Sequence, residues 1–187
     1  MALYLKLDGV KGDATLGTGT MPERRPGQDE KEYAHWLEQA GTQNYQDWMN
    51  INSMVWSITN KLTTRAGTDA DVKASKTPTV SEITITKDFD TASANLVRTI
   101  CKENTPRTCR IRFVKTDFIG QHYLEFILQK VLLTIWSMST DKEETPNEVF
   151  VLNFTSFEMS YYPTDATNVT NTKLPPQRAA YDLITHS

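Results

Sequence analysis

Residues 123–138 read YLEFILQKVLLTIWSM, an apolar run broken only by Glu125, Gln129, Lys130, Thr134 and Ser137. The run is too short and too polar for a membrane-crossing helix, which needs about 20 apolar residues. Fully extended it would reach about 50 Å, at roughly 3.3 Å per residue. Ordinary strands run about 17–20 Å. The segment therefore has to bend or break, and Gln129-Lys130 is the polar point at which to do so. Simple alternation puts Leu124, Phe126, Leu128, Leu132 and Trp136 on one face, with Ile127, Val131, Leu133 and Ile135 on the other. A strand apolar on both faces needs cover on both.

The rest of the chain is dominated by period-two patterns, the mark of half-buried strands. Leu3, Leu5 and Leu7 alternate with Tyr4, Lys6 and Asp8 before Gly9 and Gly12. Residues 48–60 form a second strand whose phase slips near Asn52-Ser53, which predicts a bulge. Ile83 and Ile85 alternate with Glu82, Thr84 and Thr86, and Cys109, Ile111 and Phe113 with Arg110, Arg112 and Val114. A last strand covers 148–162, with Phe150, Leu152 and Phe154 opposite Val149 and Val151.

Two segments break the pattern. Tyr33, Trp36, Leu37 and Ala40 fall at helical spacing and predict a short amphipathic helix over 29–41. Asp90 or Thr91 can cap a second helix over 91–102, with Leu96, Val97, Ile100 and Cys101 as its buried face. Residues 61–78 are polar and read as a long exposed loop. Strands without alternating helices exclude a parallel α/β fold. The predicted class is mainly β, an antiparallel barrel with one flanking helix and one short inserted helix.

Composition narrows function by exclusion. At 187 residues with 39% hydrophobic content the chain builds a core without staples. A formal charge of −3 argues against nucleic-acid binding and against an electrostatic membrane anchor. Residues 1–8 alternate charged and apolar side chains, so no signal-peptide core is expected there. Cys101 and Cys109 stand in no CxxC pattern and read as reduced packing residues, with a mutual disulfide the open alternative. His35, His122 and His186 are isolated and form no ligand pair, and no Walker loop, nucleophile elbow or dinucleotide fingerprint occurs. Neither cofactor nor metal is expected. Glu125 and Glu158 are the one imaginable carboxylate pair for acid–base chemistry, against solvated or interface carboxylates.

Several segments, taken in order, resemble the haemolysin-coregulated protein (Hcp) family of type VI secretion. They are Tyr4-Leu5-Lys6-Leu7-Asp8-Gly9-Val10-Lys11-Gly12, the strand around Ile51 to Thr59, and Ile83-Thr84-Ile85-Thr86-Lys87 followed by Phe89-Asp90-Thr91-Ala92-Ser93. Tyr123 to Leu133 and then Leu152-Asn153-Phe154-Thr155-Ser156-Phe157-Glu158-Met159-Ser160-Tyr161 complete the match. The resemblance implies a structural, non-enzymatic subunit. Its copies would form six-membered rings that stack into a hollow tube inside a contractile sheath, below a spike protein, with effector proteins as cargo. It implies a cytoplasmic origin in a bacterium and export by the injector itself. One domain over 1–162 is expected, with 13–47 as an insertion and 163–187 as an extension.

A neighbouring subunit or the flanking helix would cover the second apolar face, so Ile127, Val131, Leu133 and Ile135 are the interface candidates. In the 61–78 loop, where the family makes neighbour contacts, Arg65, Asp69, Asp71 and Lys73 are candidates for ring stacking, against a solvated loop. The rival reading is a monomeric barrel that binds a ligand inside. The many bulky inward residues predict a filled interior instead.

Overall fold

The computed structural model describes residues 1–14, 45–63, 73–74, 77–115, 122–142, 145–163 and 174–186. Its strands are β1 (Ala2–Leu7), β2 (Met49–Asn50), β3 (Ser53–Val55), β4 (Ile58–Thr59), β5 (Leu62–Thr63), β6 (Lys73–Ala74), β7 (Thr79–Val80) and β8 (Ile83–Asp88). After helix α1 (Ser93–Lys102) come β9 (Arg107–Val114), β10 (His122–Ser139), β11 (Asn147–Asn153), β12 (Ser156–Tyr161) and β13 (Gln177–Asp182). The main sheet is antiparallel in the order β2-β1-β9-β10-β11-β8-β3, with β12 joined to β10 and β13 to β12. The path does not close among the described residues, so the fold is a mainly β antiparallel sheet with one helix. The expected closure into a barrel is not among its pairings.

β10 makes two wings of this sheet. Its first half lies between β9 and β12, and its second half pairs with β11. The bend falls where the sequence places it: Lys130 has a positive φ of 52° and the register with β9 shifts between Leu128 and Val131. The facing chain breaks at the same level, dividing the expected 148–162 strand into β11 and β12. There the Thr155 N–H donates to the Gln129 carbonyl at 3.1 Å.

Each bulge adds one residue and exchanges the faces of everything beyond it. A second register shift lies between Leu133 and Ile135. Phe126, Leu128, Val131, Leu133 and, at its margin, Trp136 therefore all reach one core, shared with Leu5, Leu7, Ile83, Ile85, Phe150 and Leu152. Trp56 closes the core between the wings, edge-on to Phe126 at 5.6 Å and to Phe157 at 4.8 Å.

The expected 48–60 strand is three strands with three partners: β2 on β1, β3 on β8 and β4 on β7. The phase slip at Asn52 marks a crossing between wings, not a bulge. The Ile51 N–H reaches Leu3 in one wing and the Asn52 N–H reaches Thr86 in the other. The predicted 61–78 loop is in part a β-arm, since β5 pairs with β6 beyond the β4–β7 pair.

Inside the core sits one polar cluster. Lys87 and Glu148 face each other directly across β8 and β11, and both are fully buried. The Lys87 ammonium donates to Glu148 Oε1 at 2.7 Å and to the Asp88 carbonyl at 2.6 Å, and pairs with Asp90 Oδ1 at 2.7 Å. Glu148 also accepts from the Ser93 hydroxyl at 2.8 Å and from Trp136 Nε1 at 2.7 Å. Asp90 accepts from the Ala92 N–H at 2.8 Å just ahead of the helix, but the N-cap is Ala92, without a side-chain cap, so neither Asp90 nor Thr91 is the cap residue expected. Ser93 pins the first turn of α1, and the buried stripe runs through Ser93, Leu96 and Thr99. Val97 is half-buried and Cys101 is exposed, contrary to expectation. Cys109 does pack in the core, where burial pushes its thiol pKa up.

A second, smaller core lies on the outer face of the first wing. Tyr45 and Trp48 fold over Tyr4, Ala14 and Val114. The Tyr4 and Tyr45 rings stack at 4.3 Å, and Trp48 meets Tyr45 edge-on at 5.3 Å. Arg112 lies over the Trp48 ring at 5.1 Å and donates to Glu125 at 2.7 Å. Burial pushes the Tyr45 phenol up to about 12, with Arg112 pulling the other way. A bridge between Ala14 and Trp48 closes the base of the expected 13–47 insertion. Its residues 15–44, with the predicted helix, lie outside the described residues. Gly12 permits this closure, because a Cβ there would collide with the backbone carbonyl of Trp48. His122 borders the cluster, edge-on to Tyr162 at 4.9 Å, with neither ring nitrogen hydrogen-bonded. Burial, reinforced by Arg112 and opposed by Glu125, lowers its pKa to about 4.

These contacts set four expectations. Truncating Glu148→Ala removes one of the two carboxylates that hold the buried Lys87 ammonium and should cost about 3–5 kcal/mol in urea unfolding. Truncating Arg178→Ala, whose exposed pair with Glu158 spans 3.9 Å, should cost less than about 1 kcal/mol. Gly12→Ala should lower stability by about 1–3 kcal/mol through overpacking, read as a shift in the urea midpoint at constant slope. The fourth concerns pH. The unfolded chain takes up a proton at His122 near pH 6.5, whereas the folded chain resists until about 4. Stability is then complete above about pH 6.5 and falls as pH drops toward 4. Thermal midpoints measured across that window should fall less steeply in His122→Phe.

Candidate assembly surface

Outside the core, the two wings present different faces. On the second wing Val55, Thr84, Val151 and Ile135 stand side by side in one cross-strand row, in register through β3, β8, β11 and β10. Ser53, Thr86, Val149 and Ser137 form the next row on that face. Val55 is 63% exposed and Ile135 is 52% exposed. Between them Thr84 is half-buried and Val151 is buried.

The four interface candidates divide. Val131 is 1% exposed and Leu133 is 3% exposed, both inside the core of their own chain. No neighbour can reach them. Their reassignment follows from the bulge at Lys130, which simple alternation does not count. Ile127 and Ile135 point outward, Ile127 on the first wing and Ile135 on the second. Of the stacking candidates, Arg65, Asp69 and Asp71 lie outside the described residues. Lys73 lies in β6, opposite Thr63 in the arm. Val55 is the outward residue that sequence reasoning missed, although its exchange of phase at the wing crossing was a signal.

The outer face of the first wing is mixed. Lys6, Arg110, Ile127, Glu158 and Ala180 form one row across β1, β9, β10, β12 and β13. Beside Ile127 an open groove of about 270 Å³ runs between Gln129, Glu158, Ala180 and Tyr181 to Asp182. The Asp182 carboxylate accepts the Thr185 and Ile184 N–H groups, which hold its pKa below the usual range. The imagined catalytic pair does not form a reactive dyad: Glu125 is engaged by Arg112 and Glu158 by Arg178. Among the described residues no group of three His, Cys, Asp or Glu side chains is placed to hold a metal ion. No described helix is long and apolar enough to cross a membrane.

Comparison with known proteins supports the same reading. The family model described as the type VI secretion system effector Hcp matches residues 39–161. A solved type six secretion system protein superposes with a TM-score of 0.72 at 19% identity, over 100% of this chain and 98% of its own. Hcp1 from Salmonella typhimurium gives 0.63 at 19% identity, over 100% and 97%. A type VI secretion system effector from Yersinia pestis gives 0.62 at 17% identity, over 96% and 98%. No curated protein sequence matches. At these identities the structures establish the fold, and the family model, spanning well over half of the chain, establishes the kinship. Hcp is a structural tube and effector family, not a family of enzymes, and this chain belongs to it.

Proposed function

We propose that the chain is the structural subunit of a type VI secretion tube, forming six-membered rings that stack and carry effector proteins. The exposed apolar residues Val55 and Ile135, at the two ends of the row that runs through Thr84 and the buried Val151, carry this reading. Both are too exposed for a monomer's wall, while their rigid sheet offers a neighbour a preformed surface. A ring contact is heterologous, one surface of a copy meeting a different surface of the next, and it closes when the rotation closes. Ile135 and Ile127 then belong to separate contacts, as their places on separate wings favour. The β4–β7 and β5–β6 pairs flank in sequence the expected stacking residues, which supports the 61–78 segment as the contact between rings. Residues 1–162 make one domain, and the 163–187 extension adds β13 to its edge. Closure of the wings into a barrel, a contractile sheath and spike as partners, and export from the bacterial cytoplasm by the injector complete the proposal.

The solution mass decides it. Light scattering over a range of concentrations should give about six times the 21.3 kDa chain. Ile135→Asp combined with Val55→Asp should reduce that mass while leaving the thermal midpoint near the parent value, since both side chains are exposed. A wild-type chain that stays monomeric at the highest concentration sinks the ring.

A further inference from the structure

His122 opens β10 directly opposite Val114 of β9, one of the residues on which Tyr45 and Trp48 pack. Its ring lies edge-on to Tyr162 at 4.9 Å, and both ring nitrogens are buried without a hydrogen-bond partner among the described residues. The site receives the imidazole as an apolar ring. The charged form has two N–H donors to place, and in this geometry neither reaches an acceptor. The charged groups that face the ring are Arg112 from β9 and Glu125 from β10, while Tyr162 adds only a phenol. Arg112 and Glu125 already neutralise each other across 2.7 Å. A proton on His122 therefore adds one uncompensated positive charge beside a guanidinium, and burying such a charge is unfavourable.

Arg112 is also what fastens the cover formed by Tyr45 and Trp48. Its guanidinium lies over the Trp48 ring at 5.1 Å and hydrogen-bonds the Tyr45 side chain. The cover is the part of this wing most easily released. Its cluster is separate from the main core. β1 pairs with β9 along its whole length, whereas the cover is tied to the chain before it by one bridge at Ala14 and by the Gly12 N–H donating to the Asp47 carbonyl at 3.0 Å. The Lys11–Asp47 ion pair beside that bond spans 3.8 Å and is exposed, so it adds little. We propose that His122 is a pH-operated latch: on taking up a proton it drives Arg112 away from Tyr45 and Trp48, and these two residues lift from the first wing while the main core stays folded. The release uncovers Tyr4, Val114 and the Arg112–Glu125 pair. It is independent of the ring reading, which rests on the other wing.

Three thiols in the full-length protein can read the motion. Ala14→Cys puts one beneath the cover, where Ala14 is buried. The chain supplies both references, since Cys101 is exposed and Cys109 is buried in the main core. Labelling with a dipyridyl disulfide, which reacts in mild acid, is followed position by position by mass spectrometry of the digested protein. Dividing the rate at position 14 by that at Cys101 removes the effect of pH on the reagent chemistry. With the cover closed His122 resists protonation until about 4, and with it open the ring takes up a proton near pH 6.5. The ratio should then rise roughly twentyfold from pH 7 to pH 5, with Cys109 far slower than position 14 at both. Combined with His122→Phe the ratio should stay level, and His122→Gln repeats that comparison with an uncharged side chain of another shape. An unchanged ratio in the parent would overturn the latch, as would the same rise in both His122 variants. Cys109 labelling in step with position 14 would also overturn it, because the whole domain would then be unfolding.

Discussion

The Lys87 ammonium and the Glu148 carboxylate sit in the apolar centre of the fold with all their hydrogen-bonding capacity turned inward. Four elements converge there: β8 supplies the lysine, β11 the glutamate, the start of α1 Asp90 and Ser93, and β10 the Trp136 indole. An apolar replacement could fill the same volume, but it would not hold direction. A one-residue slip of β8 on β11 would turn Lys87 to the outer face and leave Glu148 buried without its cation. The pair thus fixes register, and register fixes which residues the second wing shows to the outside. The row that includes Val55 and Ile135 is a downstream result of an ion pair on the opposite face.

That dependence also explains what could be read from the residues alone. Period-two alternation locates the strands, and the bend at Gln129-Lys130 follows from length and polarity. The faces beyond the bend do not, because a bulge changes parity without changing composition. Val131 and Leu133 look like outward residues to any count that assumes an unbroken strand. The crossing at Asn52 likewise resembles a bulge, since a strand that changes partners and a strand that gains a residue shift phase in the same way. The polar cluster was visible in outline. Lys87 continues the phase of Ile83 and Ile85, and Glu148 that of Phe150 and Leu152. A lysine and a glutamate in step with buried isoleucines and leucines are a pair waiting for each other.

The two outer faces differ in how the chain treats them. On the first wing the chain supplies its own cover, as Tyr45 and Trp48 lie on Tyr4 and Val114 and shelter Arg112 and Glu125. On the second wing the described residues leave Val55 and Ile135 uncovered. The two outer faces are thus unequal among the described residues, one covered by the chain itself and the other not. The family is structural, and the carboxylates of Glu125 and Glu158 are each engaged by an arginine.

The bridge between Ala14 and Trp48 brings the two ends of a long excursion to neighbouring positions and ties them with backbone hydrogen bonds. The entropic cost of bringing two points of a chain together grows only with the logarithm of the length between them, roughly 0.6 kcal/mol for each doubling. Once the base is tied, the fold is nearly indifferent to how much chain passes between those ends. Mutation can therefore lengthen, shorten or replace that stretch without renegotiating the core, and relatives of this chain are free to differ most where it leaves and re-enters the wall.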